Sequence, residues 1–259
     1  MPLADLANVR LHYASTGPDT APALILSHSL GSNLSMWDAQ APPFEKRFRL
    51  LRYDMRGHGQ SSAPPPPYAV PDLMRDILAL ADYLHIGRFH FCGLSIGGMI
   101  GMSLALHAPE RLHKLVLCNT APKIGTDEFW NARIQTVETR GMKEIAAAVT
   151  ARWFTPAFQS SSPARVESAI SVLESLNPDG YVGGCTAVRD FDFCANVSQI
   201  RTQTLVISGT HDPAATPADG RFLAELIPGA RYTELDTSHI SSVEDPAHFN
   251  QAVLSFLTD

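Results

Sequence analysis

The chain of 259 residues contains 20 Lys and Arg and 26 Asp and Glu, so its formal net charge is −6. This length allows one large domain, or one domain with an insertion. The negative charge argues against nucleic acid and anionic membrane surfaces as partners. With 45% hydrophobic and 18% charged residues, the chain has a globular composition, which excludes disorder as its dominant state.

Residues 1–8 contain neither a basic segment nor an apolar one, so no secretory signal is expected there. No apolar run approaches the length that a membrane-spanning helix needs. The 4 cysteines include no Cys-x-x-Cys pair, which favours free thiols. We therefore expect a cytoplasmic protein, and the sequence leaves its state open between a monomer and a small homo-oligomer.

Short apolar runs predict the strands, and most of them are apolar nearly throughout, as in strands buried on both faces of a parallel sheet. In chain order the runs are 23–27, 49–53, 89–92, 114–118, 204–208 and 231–235. Helical spacing of apolar residues predicts a helix over 72–84, and a further helix is predicted over 99–107. Strands that alternate with helices predict an α/β fold with a mainly parallel sheet.

The alternation of strands and helices stops after Thr120 and resumes at Thr204. Between these points helices are predicted at 127–139, 142–152 and 164–176. The residues predicted to separate helical segments are Gly141, Pro156, Pro163, Pro178 and Gly180. We predict a helical cap at 123–198, placed over the strand ends of a core formed by 1–122 and 199–259.

The motif Gly93-Leu-Ser95-Ile-Gly97 has the strongest chemical implication. It follows a predicted strand and opens a predicted helix, which is the context of a nucleophile elbow. Its small residues permit a tight turn that lifts the Ser95 hydroxyl above the sheet and directs the N–H of Ile96 into the same space. The alternative is a glycine-rich helix start with an incidental serine.

A nucleophilic serine needs a base, and the base needs an acid that orients it. Asp212 and His239 each follow a later predicted strand, which gives the chain order Ser, Asp, His. All three side chains would lie beyond the C-terminal ends of strands, where open α/β sheets bind ligands. We predict a catalytic triad of Ser95, Asp212 and His239. Asn119 occupies an alternative position for the acid, but an amide has no negative charge.

The loop after the first predicted strand has the place of the segment that donates the second oxyanion hydrogen bond. We predict the backbone N–H of Leu30 as this donor, with Ser29 as the alternative, beside the N–H of Ile96. Two histidines in glycine-bearing turns near the site, His28 and His58, are predicted to make structural hydrogen bonds.

Several stretches carry a family resemblance. They are 54–61, 93–101, 118–121 with 130–134, 152–156 and 208–216. Over its whole length the chain resembles the α/β-hydrolase superfamily, and within it the 3-oxoadipate enol-lactonases of the β-ketoadipate pathway. Ile96 and Ser242 depart from that pattern, where methionine and asparagine are commoner, and neither change removes a catalytic group. The resemblance implies a mostly parallel eight-stranded sheet flanked by helices, with the cap inserted between strands 6 and 7.

The resemblance also implies a serine hydrolase that opens an anionic enol-lactone to 3-oxoadipate through an acyl-enzyme, with no metal or organic cofactor. In a negatively charged protein, the substrate carboxylate needs a local cation. Trp130 and Arg133 are three residues apart on a predicted cap helix and would share a face. We assign Arg133 to the carboxylate and Trp130 and Trp153 to the pocket walls. The alternative is ordinary cap packing with a solvated arginine.

Other functions fit the same residues. The chain could be a different capped serine hydrolase, such as a carboxylesterase or a carbon–carbon bond hydrolase, or a cofactor-free perhydrolase. It could also be a ligand sensor of the same fold with slow turnover. Removal of Arg133 separates the enol-lactonase from hydrolases of neutral esters, and the turnover rate separates an enzyme from a sensor.

Overall fold

A computed structural model describes residues 2–259 and shows an eight-stranded sheet. The strands are β1 (Leu3–Asp5), β2 (Arg10–Thr16), β3 (Ala23–Ser27), β4 (Arg49–Tyr53), β5 (Phe89–Leu94), β6 (Leu112–Cys118), β7 (Thr204–Gly209) and β8 (Arg231–Leu235). Their order across the sheet is β1-β2-β4-β3-β5-β6-β7-β8. Every pair from β4 to β8 is parallel, which confirms the predicted α/β class and its mostly parallel sheet.

Helices connect the strands and cover the sheet. They are α1 (Ala41–Phe44), α2 (Val70–Tyr83), α3 (Ile96–His107), α4 (Asp127–Arg140), α5 (Met142–Thr150), α6 (Pro156–Ser161), α7 (Pro163–Glu174), α8 (Pro178–Arg189), α9 (Pro217–Leu226), α10 (Ser241–Glu244) and α11 (Pro246–Thr258). Within residues 2–259, no helix combines the length and the apolar character that crossing a membrane requires.

All six predicted strands are present, and β3, β4 and β8 have the predicted bounds. Every residue of β3, β5 and β7 is buried, as their continuous apolar character predicts. These central strands carry the segments that form the site at their C-terminal ends. The hydrophobic core lies between them and the helices that pack on the sheet.

The residue patterns did not predict β1, the strand at one edge of the sheet, or its neighbour β2. They are antiparallel, and β2 pairs with β4 through Tyr13 and Tyr53 among others. The buried His12 of β2 has its Nδ1 2.7 Å from Oδ2 of Asp54. Main-chain pairing and a polar contact between residues distant in the chain stabilise this side of the sheet. A pattern of hydrophobic residues shows neither of them.

Helices α4 to α8 form a continuous helical insertion between β6 and β7. The predicted separators Pro156, Pro163 and Pro178 are each the first residue of a helix, since proline lacks the N–H that this position leaves unpaired. The helices predicted from the sequence correspond to α4, α5 and α7, and α6 and α8 were not predicted.

The prediction of Gly180 as a helix separator is wrong, because Gly180 lies inside α8. A Cβ at this position would collide with the main chain of Gly57, and a Cβ at Gly57 would collide with that of Gly180. In the same helix, a Cβ at Gly183 would lie 2.5 Å from the ring of Tyr68, and one at Gly184 would collide with Leu30. The glycines thus allow α8 to lie directly on the core.

Candidate active site

Ser95 occupies a strained turn between β5 and α3. Its backbone has φ 59° and ψ −117°, a region that costs a residue with a Cβ about 1–3 kcal/mol. A Cβ at Gly93 would collide with the carbonyl of Gly97, and a Cβ at Gly97 with that of Ser27, so the flanking residues must be glycine. The hydroxyl of Thr120 donates to the Ser95 carbonyl at 2.8 Å and fixes the turn.

The predicted base and acid are in direct contact. His239 Nδ1 lies 2.8 Å from Asp212 Oδ2, and both side chains are buried. Asp212 Oδ1 accepts the N–H groups of Ala214 and Ala215 at 2.8 and 3.1 Å. Burial alone would raise the pKa of the Asp212 carboxyl, but His239 and these hydrogen bonds lower that pKa below its ordinary value. The carboxylate stays ionised and holds the Nδ1 proton of His239, which leaves Nε2 as an acceptor.

Ser95 and His239 line one cavity of about 280 Å³. Among the described side chains, no hydrogen bond joins the Ser95 hydroxyl to the imidazole. Such bonds are often long in free hydrolases and tighten when the substrate binds. Other residues predicted for the site also line this cavity, namely Leu30, Trp130, Arg133 and Trp153.

Asn119, which occupies the alternative position for the acid, contacts the predicted acid. It follows β6 at φ 45°, and its Nδ2 donates to Asp212 Oδ2 and to the Ser238 carbonyl, both at 3.1 Å. Its Oδ1 accepts the hydroxyl proton of Ser241 at 2.6 Å. A neutral amide in this position binds the acid loop to the histidine loop without adding a competing charge.

The histidine loop is also bonded to the helical insertion through Glu244. One carboxylate oxygen of Glu244 accepts the N–H of Thr155 at 3.1 Å together with the Thr155 hydroxyl, and the other accepts the N–H of Ser238 at 2.8 Å. The N–H of Ile240 donates to the Trp153 carbonyl at 3.0 Å. The segment between α5 and α6 therefore fixes the loop that carries His239.

We expect Glu244→Gln to weaken this connection. The amide group must face either Ser238 N–H or Thr155 N–H, so one partly buried donor loses its acceptor, at a cost of about 1–3 kcal/mol. Thermal unfolding should show the lower stability, and kcat should fall because His239 is less well held. Glu225→Gln on the exposed face of α9 is the matched control. Equal effects of the two substitutions would contradict this role.

The loop after β3 brings Leu30 and Ser29 to the cavity wall. Within residues 2–259, no protein acceptor takes the backbone N–H of Leu30 or of Ile96, which is the first residue of α3. Free N–H groups at a helix start and in an adjacent loop are the elements of an oxyanion hole. The pair Leu30 and Ile96 stays a prediction, with Ser29 as the alternative.

Two arginines line the cavity, whereas the sequence patterns predicted only Arg133. Arg133 Cζ lies 4.6 Å from the ring centre of Phe129 and 5.1 Å from that of Trp130. Arg152 Cζ lies 5.4 Å from Phe129 on the same wall, and its Nη2 donates to the Pro213 carbonyl at 3.2 Å. The stretch 152–156 carries part of the family resemblance, so the signal for Arg152 was present in the sequence.

No carboxylate among the described side chains forms an ion pair with Arg133 or Arg152. Burial and the neighbouring charge of Arg133 lower the pKa of the Arg152 guanidinium, although the Asp212 carboxylate opposes the shift. Two like charges in one pocket repel each other, and a bound carboxylate would relieve that repulsion. The cavity therefore combines a serine, an imidazole and two guanidinium groups on one wall.

The fold and this cavity define the class of protein. The chain belongs to the α/β hydrolase fold family, whose model matches residues 22–246. It is 44% identical over 246 residues to 3-oxoadipate enol-lactonase 2 of Acinetobacter baylyi, which covers 95% of this chain and 92% of that protein. The crystal structure of the enol-lactonase from Burkholderia xenovorans LB400 has a TM-score of 0.98 and 45% identity, and covers 100% of both chains. The resemblance seen in the sequence motifs is confirmed.

Proposed function

We propose that the protein is a cytoplasmic serine hydrolase that opens 3-oxoadipate enol-lactone to 3-oxoadipate. The observation that carries this proposal is the pair of arginines without carboxylate partners, Arg133 and Arg152, in one cavity with Ser95. A neutral ester has no charge for these cations to bind, whereas an anionic lactone has one. The two relatives named as enol-lactonases support the same substrate. The buried free cysteines Cys92, Cys118 and Cys185 favour a reducing compartment.

In the first half-reaction, the Ser95 hydroxyl attacks the lactone carbonyl while His239 Nε2 takes its proton. The N–H groups of Leu30 and Ile96 stabilise the oxyanion. The bond between the carbonyl carbon and the ring oxygen then breaks, and the leaving group is an enolate. The enolate takes the proton that His239 removed from Ser95, and the resulting enol tautomerises to the ketone. The product of this half-reaction is an acyl-enzyme on Ser95.

In the second half-reaction, His239 takes a proton from water, which attacks the acyl carbonyl. The bond to Ser95 breaks and the serine oxygen regains a proton from His239. The acid product leaves and loses its proton to solvent, which gives a new carboxylate. Asp212 holds the imidazole in the tautomer that both steps need. Residues 123–198 act as a cap that supplies Arg133, Arg152, Trp130 and Trp153 to the pocket.

The test of this proposal is steady-state hydrolysis of 3-oxoadipate enol-lactone, followed by loss of its ultraviolet absorbance, beside a neutral p-nitrophenyl ester. We expect kcat/KM for the lactone to lie within about 10⁴–10⁸ M⁻¹s⁻¹ and far above that for the ester. Activity on the neutral ester alone would contradict the lactonase and favour a carboxylesterase or perhydrolase. Binding of the lactone with negligible turnover would favour a sensor.

We expect Arg133→Gln and Arg152→Gln to act selectively on the anionic substrate. Each removes a charge-assisted hydrogen bond worth about 1.5–3 kcal/mol, so KM for the lactone should rise about 10- to 100-fold. Hydrolysis of the neutral ester should change little, because it does not use the cations. Arg140→Gln, at the exposed end of α4, is the matched control. An equal loss on both substrates would mean that the arginines support the fold and not the carboxylate.

A further inference from the structure

His58, in the loop after β4, is buried directly behind the oxyanion loop. Its Nε2 accepts the backbone N–H of Gly31 at 3.1 Å, and its Nδ1 donates to the Arg56 carbonyl at 3.1 Å. Both ring nitrogens are therefore used, and the imidazole is neutral with its proton on Nδ1. Gly31 has φ 85°, a backbone conformation that favours glycine, so the loop makes a sharp turn at this bond.

The hydrogen bond fixes the peptide unit that links Leu30 to Gly31. The N–H of this unit points at His58, and the preceding N–H, that of Leu30, is the proposed oxyanion donor. The Leu30 N–H itself belongs to the preceding Ser29–Leu30 peptide unit, so the bond to His58 restrains its direction through the backbone of Leu30, which joins the two units. The orientation of the catalytic donor thus depends on an acceptor outside the cavity.

A second imidazole supports the same loop. His28 Nδ1 donates to the Ser29 carbonyl at 2.8 Å, and His28 Nε2 accepts the N–H of Met55 at 3.0 Å. The ring centres of His28 and His58 are 5.3 Å apart. Burial lowers the pKa of both groups, that of His28 to about 3, although the nearby Asp54 carboxylate opposes the shift. Both imidazoles stay neutral at neutral pH and keep their acceptor nitrogens.

The opposite side of the loop rests on the helical insertion. A Cβ at Gly184 of α8 would collide with Leu30, and it would lie 3.5 Å from Cε1 of His58. Leu30 is therefore held between α8 and the hydrogen bond to His58. Packing alone restrains its side chain, whereas the hydrogen bond restrains the direction of its main chain.

We propose that His58 is a positioning residue for the oxyanion hole, which acts by holding the Leu30–Gly31 peptide so that the Leu30 N–H faces the carbonyl oxygen of the substrate. This role rests on the proposed acyl transfer at Ser95. It applies to any acyl substrate, because it concerns the oxyanion and not the carboxylate bound by the arginines.

The test compares His58→Phe, which keeps a ring but removes the acceptor, with His58→Gln, whose side-chain carbonyl can accept the Gly31 N–H. Loss of an oxyanion donor costs 10²–10³ in kcat, so we expect a displaced donor in His58→Phe to lower kcat about 10- to 100-fold with KM nearly unchanged. The affinity for a trifluoromethyl ketone, which forms a tetrahedral adduct with the serine, should fall by a similar factor. His58→Gln should retain most of the kcat and most of the affinity for the ketone.

Several results would overturn the proposal: an unchanged kcat in His58→Phe, an effect on KM alone, an unchanged ketone affinity, or an equal loss in His58→Gln. If His58→Phe does not fold, His58→Leu provides the same loss of acceptor. The neutral ester is the substrate for these measurements. A protein that hydrolyses the ester but not the lactone would contradict the proposed substrate and leave the test of His58 valid.

Discussion

Replacing Ser95 with alanine is expected to lower kcat/KM by about 10⁶-fold on the lactone and the neutral ester alike, the size of effect that follows loss of a serine nucleophile. The substitution removes only the hydroxyl oxygen. The strained turn, with its φ of 59°, is held by main-chain contacts that alanine keeps. Stopped-flow and steady-state assays measure the loss, and circular dichroism checks that the variant is folded.

Two further variants separate chemistry from structure at this turn. Ser95→Gly should be equally inactive but more stable, because glycine adopts the positive φ without strain. Ser103→Ala, in the following helix α3, removes a buried hydroxyl that donates to Met74 Sδ at 3.3 Å and should retain full activity. Hydrolysis retained by Ser95→Ala would show that the nucleophile lies elsewhere.

The second large effect is expected for Asp212→Asn. Asp212 Oδ1 faces the N–H groups of Ala214 and Ala215, so the oxygen of asparagine must take that side. Its NH₂ group then faces His239 Nδ1, and also the Nδ2 of Asn119, which is a donor itself. The imidazole must then adopt the tautomer with its lone pair on Nδ1 and its proton on Nε2. In that tautomer Nε2 can no longer take the serine proton. The loss in kcat should be about 10⁴-fold.

The same substitution has a pH signature in stability. The pKa of Asp212 is lowered in the folded protein, so its carboxylate stabilises the fold above the ordinary pKa of an aspartate. That contribution is lost as the pH falls through the lowered value. The difference in Tm between the wild type and Asp212→Asn should therefore shrink in acid. Asp236→Asn, in the exposed pair with His211, is the control, and an equal loss of kcat in it would contradict the assignment.

The centre of the fold was predictable because its signal is local. Strands such as β3 and β7 are buried on both faces, and a continuous apolar run records that burial. Ser95 follows β5 directly, and Asp212 and His239 lie a few residues beyond β7 and β8, so the parallel sheet brings them to one edge without any knowledge of the helices. Strand β2 was missed because it depends on contacts with residues distant in the chain, such as His12 with Asp54.

The surroundings of the site were less predictable, because they also depend on contacts between residues that are distant in the chain. Asn119 was recognised as an alternative acid position, but its contact with Asp212 spans 93 residues. The bond from Glu244 to Thr155 spans 89 residues, and no periodicity records it. Helix α8 was missed because its glycines suggest a turn, whereas they serve close contact with the core. Composition alone does not separate these two uses of glycine.

The contact between Gly57 and Gly180 has a consequence for substrate exchange. Main chain meets main chain there, so no side chain between them can change rotamer to let α8 tilt. Exchange would instead use rotation of side chains at the rim, such as Phe129, whose exposure is 38%. Rotations of exposed side chains are far faster than rigid-body opening. Exchange by this route would need side-chain rotations and no rigid-body opening of α8.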